Sequence, residues 1–316
     1  MACRFFYLFA LLLVVITPFS AQAADELIFV FQKQKEPEKI KTEAAKVAEF
    51  LSKELDQKVI AQVPNDYAAS VQALVSKKAD IAYVDSMAYL LAKRDAGATI
   101  LLAEERPDTT GKVRTEYDSV FVVKKDSPLQ SIDELVSKAN SLRMVFTSPT
   151  STSGYLMAYR RLHREGLLKA KQDPAQVFER VSFGGSYTQA LEEVLAERAD
   201  VAAVSSYTIE GAAADKYLPE AKRSNLRVLA RTPGVPTHVI VARAGLSETK
   251  KEQIVAAIKK LQSQQASLLS DVYGAASFTE VEADTHVETA VQAVGLTGLP
   301  IEGIVSKKIV AKESAS

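Results

Sequence analysis

Cysteine is almost missing from this 316-residue chain, and tryptophan is missing altogether. The one thiol, Cys3, precedes an apolar block at residues 5–16, which follows Arg4 and leads to Ala21-Gln22-Ala23. A basic start, an apolar run and a small-x-small site have the form of a cleaved secretory signal, expected here to be residues 1–23. The run is shorter than the roughly 18–20 residues that span a bilayer. Because Cys3 lies before the apolar block and not at the cleavage point, it cannot become a lipidated first residue, and the mature chain has no thiol. Disulfides, cysteine nucleophiles and thiolate metal sites are thereby excluded, which suits an oxidising compartment.

Histidine is scarce too. His163, His238 and His286 stand far apart without metal-ligand spacing, so no metal site is expected and each reads as a surface or packing histidine. Excess charge is also lacking, with 39 basic residues against 39 acidic ones. No overall field draws in nucleic acid or anionic lipid, so an anion would need a local site. Neither G-x-S-x-G nor the P-loop pattern occurs, and residues 247–250, which fit S-x-x-K, open an amphipathic helix where Ser247 reads as a cap. No nucleophile with a base is visible, and the chain is read as a non-enzyme that needs no cofactor.

What is present is alternation. Short apolar runs at residues 27–31, 59–63 and 81–84 alternate with helix-period segments, the first at about 37–55, and a similar series follows Ser119. This predicts an α/β fold with mixed, mostly parallel sheets. Roughly 290 mature residues exceed one comfortable core and predict two lobes of about 100–150 residues. The run KQKEPEKIK at 33–41 reads as mostly a solvated loop and first helical turn, whose start follows the first strand and is placed to border the cleft.

Residues 67–86 and 187–206 echo each other. In both, a tyrosine (Tyr67, Tyr187) opens a helix, Ala-Asp follows, then a buried-looking strand and a polar turn, Asp85-Ser86 in one and Ser205-Ser206 in the other. Ligands of open α/β sheets bind beyond the carboxyl ends of strands. Two lobes facing each other across a cleft would therefore bring these residues to one ligand.

Residues 148–155, SPTSTSGY, lie between a strand and a helix with Leu156, Tyr159 and Leu162 on one face. The first N–H groups of a helix lack internal partners and carry the positive end of its dipole. Ser151, Thr152 and Ser153 add hydroxyl donors, and Gly154 lets a ligand approach the backbone. An ordinary helix cap is the competing reading, although a cap needs only one such residue.

These segments, with YDSVFVVKKDSPLQSIDEL at 117–135 and GGSYTQALEEVLAERADVAAVSS at 184–206, resemble the phosphate/phosphite/phosphonate substrate-binding proteins of ABC transporters. The similarity runs over most of residues 25–245. It implies a type II periplasmic-binding-protein fold with two hinge crossings, residues 25–119 and 235–316 forming one lobe and 120–234 the other. It also implies a monomeric receptor outside the inner membrane that captures an oxyanion and docks on permease transmembrane subunits. By this resemblance Ser151, Thr152 and Ser153 hold ligand oxygens, Tyr67 donates from the opposite lobe, and Tyr187 stands where the family often has histidine.

Departures from the family narrow the ligand. Members that take aminoalkylphosphonates carry carboxylates in the turns that here read Tyr187-Thr188 and 205–208, and Glu210 is the nearest acid. An unpaired ammonium in a closed cleft is costly, so an amine-free ligand such as phosphite, methylphosphonate or phosphate is expected. Asp85 occupies a position where the family commonly has a small residue. It either accepts a P–OH proton, favouring a protonated oxyanion over sulfate, or caps a helix. A periplasmic sensor for a membrane signalling partner, or a binding protein for a different small solute, are the alternatives on the same fold.

Overall fold

The computed structural model describes residues 26–108 and 110–298. The expected signal at 1–23 and Cys3 lie outside the described residues. Strands β1 (Leu27–Phe31), β2 (Val59–Gln62), β3 (Ile81–Val84), β4 (Thr99–Pro107) and β5 (Val113–Arg114) come first. They are followed by β6 (Glu116–Lys124), β7 (Arg143–Phe146), β8 (Arg180–Phe183), β9 (Val201–Ser205) and β10 (Leu226–Pro236). The last two strands are β11 (Val239–Ala242) and β12 (Ser277–Thr279). One sheet runs β12-β4-β11-β3-β1-β2 with β5 added on β4, and the other runs β10-β6-β9-β7-β8. The chain thus passes from the first sheet to the second between Pro107 and Glu116 and returns between Pro236 and Val239.

The fold is the expected two-lobed α/β architecture, with one correction. Parallel pairing is confined to β1 with β2 and β3, and to β7 with β8 and β9. The remaining pairs are antiparallel, so the sheets are mixed and not mostly parallel. The antiparallel strands β4, β6, β10 and β11 flank the two crossings, with β10 at the edge of the second sheet. A strand that arrives from the other sheet meets its neighbours head to tail.

The sequence echo is a topological equivalence. β3 lies between parallel β1 and antiparallel β11, and β9 lies between parallel β7 and antiparallel β6. Every residue of β3, β9 and β11 is buried, which is why these runs are continuously apolar and do not alternate. The helices before β3 and β9, Tyr67–Val75 and Tyr187–Leu195, are both capped, by the Asp66 side chain on Ala69 N–H and the Ser186 side chain on Gln189 N–H. The long first helix, Pro37–Leu55, opens with proline and buries Ile40, Ala44, Val47 and Leu51 along one stripe.

The last described helix, Glu288–Thr297, departs from the expected lobe boundary. Although it follows β12 of the first sheet, it packs on β10, on the helical segment Thr152–Met157 and on the helix Ala158–Arg164. Ala290, Val291, Ala293 and Val294 are buried there. Lys171 N–H donates to Leu296 O at 2.7 Å, and Thr289 Oγ1 to Gly234 O at 2.7 Å. The amphipathic period of this helix shows which face is buried but carries no information about which lobe covers it. Val294→Ala, which removes two fully buried methyl groups, is expected to lower stability by about 2 kcal/mol. Urea unfolding measures this loss, and faster hydrogen exchange in residues 288–297 would place it on the helix.

Candidate functional site

Four turns converge between the sheets, each at the carboxyl end of a strand: residues 32–35 after β1, 85–86 after β3, 147–153 after β7 and 205–208 at the end of β9. Asp85 lies at their centre and is fully buried. One carboxylate oxygen accepts from Ala88 N–H at 2.9 Å, capping the helix Ser86–Ala96. The other accepts from Thr152 N–H at 2.9 Å, at the start of the helix that carries the hydroxyl run. Thr152 Oγ1 in return accepts from Met87 N–H at 2.8 Å. Each lobe therefore caps the other's helix, and Asp85 does both things that its sequence position suggests, capping a helix and facing the hydroxyl run.

The hydroxyl run begins as a π-helix, Thr152–Met157, which continues as the α-helix Ala158–Arg164. Leu156 N–H reaches back five residues to Ser151 O. Such turns cluster at functional sites because they swing the first side chains out of α-helical register. Ser151 is a cap, its Oγ accepting from Gly154 N–H at 3.1 Å. Ser153 Oγ lies 2.7 Å from Ser205 Oγ and 3.1 Å from the Tyr187 hydroxyl, and Tyr117 OH approaches it at 3.5 Å. The expected ligand approach at Gly154 is corrected. A Cβ there would lie 2.1 Å from Thr147 Oγ1 and 3.1 Å from Ala203 O, so the glycine is required by packing against β9.

The tyrosine pair of the echo meets in space, with the Tyr67 and Tyr187 rings 6.3 Å apart and edge to face. Both are fully buried, and Tyr67 OH has no hydrogen-bond partner among the described residues. Burial, then the neighbouring Tyr187 and Asp85, push the Tyr67 phenol well above its ordinary value, so it remains a proton donor. The structure thus brings Thr152, Ser153, Tyr67, Asp85, Tyr187 and Ser205 together. Ser86 and Ser206 stand apart from them. Ser86 Oγ faces Pro236 O and Thr237 O at 3.4 and 3.3 Å, at the return crossing, and Ser206 Oγ accepts from Asp118 N–H at 3.3 Å.

The residues that the sequence did not single out are Gln32, Gln34 and Tyr117. The start of the 33–41 run, expected to border the cleft, is buried at Gln34 and Lys35, as is Gln32 just before it. Gln32 Oε1 accepts from Asp85 N–H at 2.9 Å, while its Nε2 has no partner, and the Gln34 Nε2 has none either. Their position just past the end of β1 was the only available signal. Tyr117 sits in β6 beside the first crossing, where nothing local marks it.

The geometry is that of a two-lobed binding protein, in which polar turns at the carboxyl ends of equivalent strands face each other between the lobes. The chain matches the family model for the periplasmic substrate-binding protein of phosphonate ABC transporters over residues 29–286, and it belongs to that family. It is 30% identical over 206 residues to the phosphonates-binding periplasmic protein of Escherichia coli K12, an alignment covering 65% of this chain and 56% of that relative's length. It is 27% identical over 248 residues, 75% of this chain and 78% of the other, to the probable ABC transporter phosphite binding protein PhnD1 of Prochlorococcus marinus MIT 9301. A binding protein component of an ABC phosphonate transporter from Pseudomonas aeruginosa shares the fold with a TM-score of 0.75 at 22% identity, covering 92% of this chain and 95% of that one. Among the described residues no helix is long and apolar enough to cross a membrane.

Burial pushes the Asp85 carboxyl up from 3.8 to about 6, against the opposing pull of the Ala88 and Thr152 N–H groups. Between those values the folded protein holds a proton that the unfolded chain has released. The contribution of Asp85 to the stability of the ligand-free protein should therefore fall by about 3 kcal/mol as pH rises from about 4 to above 6, opposite in sign to the contributions of the buried His238 and His286. Asp85→Asn should remove that falling contribution, so that its stability rises more with pH than that of wild type in urea melts at pH 4.5, 5.5, 6.5 and 7.5. An equal slope in both proteins would show that another group is responsible.

Proposed function

We propose that this protein is the periplasmic receptor of an ABC importer and binds a small, amine-free phosphorus oxyanion between its lobes, phosphite, methylphosphonate or phosphate being the simplest candidates. The observation that carries this reading is Asp85: an internal anion rests on the Thr152 backbone N–H, in a buried setting where Gln32 Nε2 and Tyr67 OH are donors without partners. Buried donors are normally satisfied, and a group of unpaired ones beside a helix start suits an anion. The ligand would share this place with the Asp85 carboxylate, and a P–OH proton between them turns repulsion into a hydrogen bond. Sulfate, which is fully ionised, has no such proton.

The amine-free character follows from what surrounds the site. The turn at 205–208 offers hydroxyls, and Glu210, the nearest acid expected from sequence, is held by Arg231 at 2.5 Å. Among the relatives, PhnD1 has been solved with methylphosphonate. The sheet memberships support a division into residues 25–119 with 235 onward, and 120–234, with the helix Glu288–Thr297 lying across to the second lobe. Secretion through the 1–23 signal and docking of the closed form on permease subunits belong to the same reading, as does its being a binding protein without catalytic activity.

Calorimetric titration of the mature, ligand-stripped protein with phosphite, methylphosphonate, phosphate, 2-aminoethylphosphonate and sulfate tests it. One or more of the amine-free phosphorus ligands should bind at micromolar Kd or below, about 8 kcal/mol, with sulfate and the amine much weaker. Ser153→Ala should weaken that binding by about 1.5–3 kcal/mol if its hydroxyl meets a charged oxygen. No binding by any of the phosphorus compounds would overturn the reading.

A further inference from the structure

Next to the oxyanion donors, the interface buries a second polar group that they do not use. Arg106, at the end of β4, is 2% exposed. Its Nε donates to Glu104, its Nη2 to Tyr273 O at 2.8 Å, and its guanidinium lies 3.7 Å over the Tyr207 ring, while Nη1 has no hydrogen-bond partner. Glu104 is fully engaged, its other oxygen accepting from Tyr83. His238, in the return crossing, is completely buried with neither ring nitrogen hydrogen-bonded; its Nδ1 stands 3.8 Å from Glu104. Burial, then Arg106, hold it well below its usual value, so it is a neutral imidazole with one donor and one acceptor. Gln34 Nε2 is a further unpaired donor, its Oε1 already taken by the Tyr207 and Tyr217 hydroxyls at 3.3 and 3.2 Å.

This group adjoins the oxyanion site through Tyr117. That ring stacks on His238 at 6.1 Å and meets Tyr207 at 5.0 Å, and its hydroxyl faces Ser153. A cavity of about 40 Å³ opens beside it, enough for at least one water-sized group; Arg106, Tyr117, Ser206 and Tyr207 line it together with Glu116 and with Asp108 and Glu210, which are paired with Arg114 and Arg231. Buried polar atoms without partners are few in folded proteins and call for an explanation at each site. Here the unpaired atoms are mostly donors, one of them on a guanidinium, and each oxygen of Glu104, the carboxylate paired with that guanidinium, already accepts a hydrogen bond.

We propose that this group is a subsite for the carbon substituent of the ligand, and that the substituent it selects ends in a carboxylate, making the preferred ligand class a carboxylate-bearing phosphonate. The proposal rests on the oxyanion reading of the Thr152–Ser153 site. A methyl substituent leaves Arg106 Nη1, Gln34 Nε2 and His238 unpaired. An ammonium brings donors to donors. Carboxylate oxygens accept from all three, and the guanidinium, fixed over Tyr207, needs no rearrangement to meet them.

Titration of the wild-type protein, Arg106→Lys and His238→Phe with methylphosphonate, phosphonoacetate and 2-aminoethylphosphonate decides it. Lysine keeps a positive charge beside Glu104 and phenylalanine keeps the stacked ring, so both variants are expected to fold, which circular dichroism checks. Phosphonoacetate should bind wild type at least tenfold more tightly than methylphosphonate, and that ratio should shrink towards one in both variants. Methylphosphonate binding equal to or tighter than phosphonoacetate would overturn the subsite while leaving the oxyanion reading standing. A preference for phosphonoacetate that both variants retain would overturn the assignment to Arg106 and His238. Tightest binding of the aminoethyl compound would overturn the subsite and the amine-free reading together, and no binding of any would overturn both at the root.

Discussion

Everything in the interior of this protein is arranged around one carboxylate that belongs to two helices. Asp85 is the cap of a helix in the first lobe and the counter-charge at the start of a helix in the second. A buried carboxylate on its own is expensive, and here two backbone N–H groups and two helix starts offset part of that cost. The residual cost is visible as a carboxyl that holds its proton up to about pH 6. The closed arrangement is therefore one that an anion is needed to complete. The protein's own side chain completes it when nothing else does, and on the proposed reading an oxyanion competes with that side chain for the Thr152 N–H while a P–OH proton joins the two.

The competition is possible because the two lobes are built alike. In each, a parallel trio (β2-β1-β3, β8-β7-β9) ends in turns facing the other lobe, with an antiparallel strand from the crossing on its flank. Tyr67 and Tyr187 open equivalent helices and meet edge to face. Similar local structure supplies a hydroxyl from each side, and the asymmetry that selects a ligand lies in the few positions where the halves differ: Asp85-Ser86 against Ser205-Ser206, and the hydroxyl run after β7.

The sequence revealed those parts that are written locally. The apolar runs of β1, β3 and β9 and the helix Pro37–Leu55 were legible because period and burial coincide. The hydroxyl run was legible because three successive hydroxyls exceed what a cap requires. Arg106, Tyr117 and His238 were not legible, since each lies in or beside a crossing and acquires its neighbours only when the lobes meet. His238 was read as a packing histidine and does pack, between Tyr117 and Tyr273, but its two unpaired nitrogens are a tertiary fact. Gln34 sits in a lysine-rich run whose composition argued for water, and Gln32 just before it, whereas their place at the end of β1 put both inside. Mixed sheets were expected, but the predominance of antiparallel pairs was missed for a related reason: alternation of strand and helix predicts parallel neighbours, and says nothing about a strand that comes back from the other lobe.

The packing of the helix Glu288–Thr297 has a consequence for the order in which the chain acquires its structure. Leu296 packs with the core around Phe121, Phe146 and Tyr159, and the first sheet needs β11 and β12 for its middle and its edge. A chain emerging amino end first from a ribosome or a translocation pore therefore cannot finish either lobe until its last hundred or so residues are free. Completion of both cores is deferred to the end of emergence, and during that interval the unfinished apolar surfaces of the two sheets are available to chaperones. For a chain that must cross a membrane before it folds, such lateness is an advantage built into the connectivity.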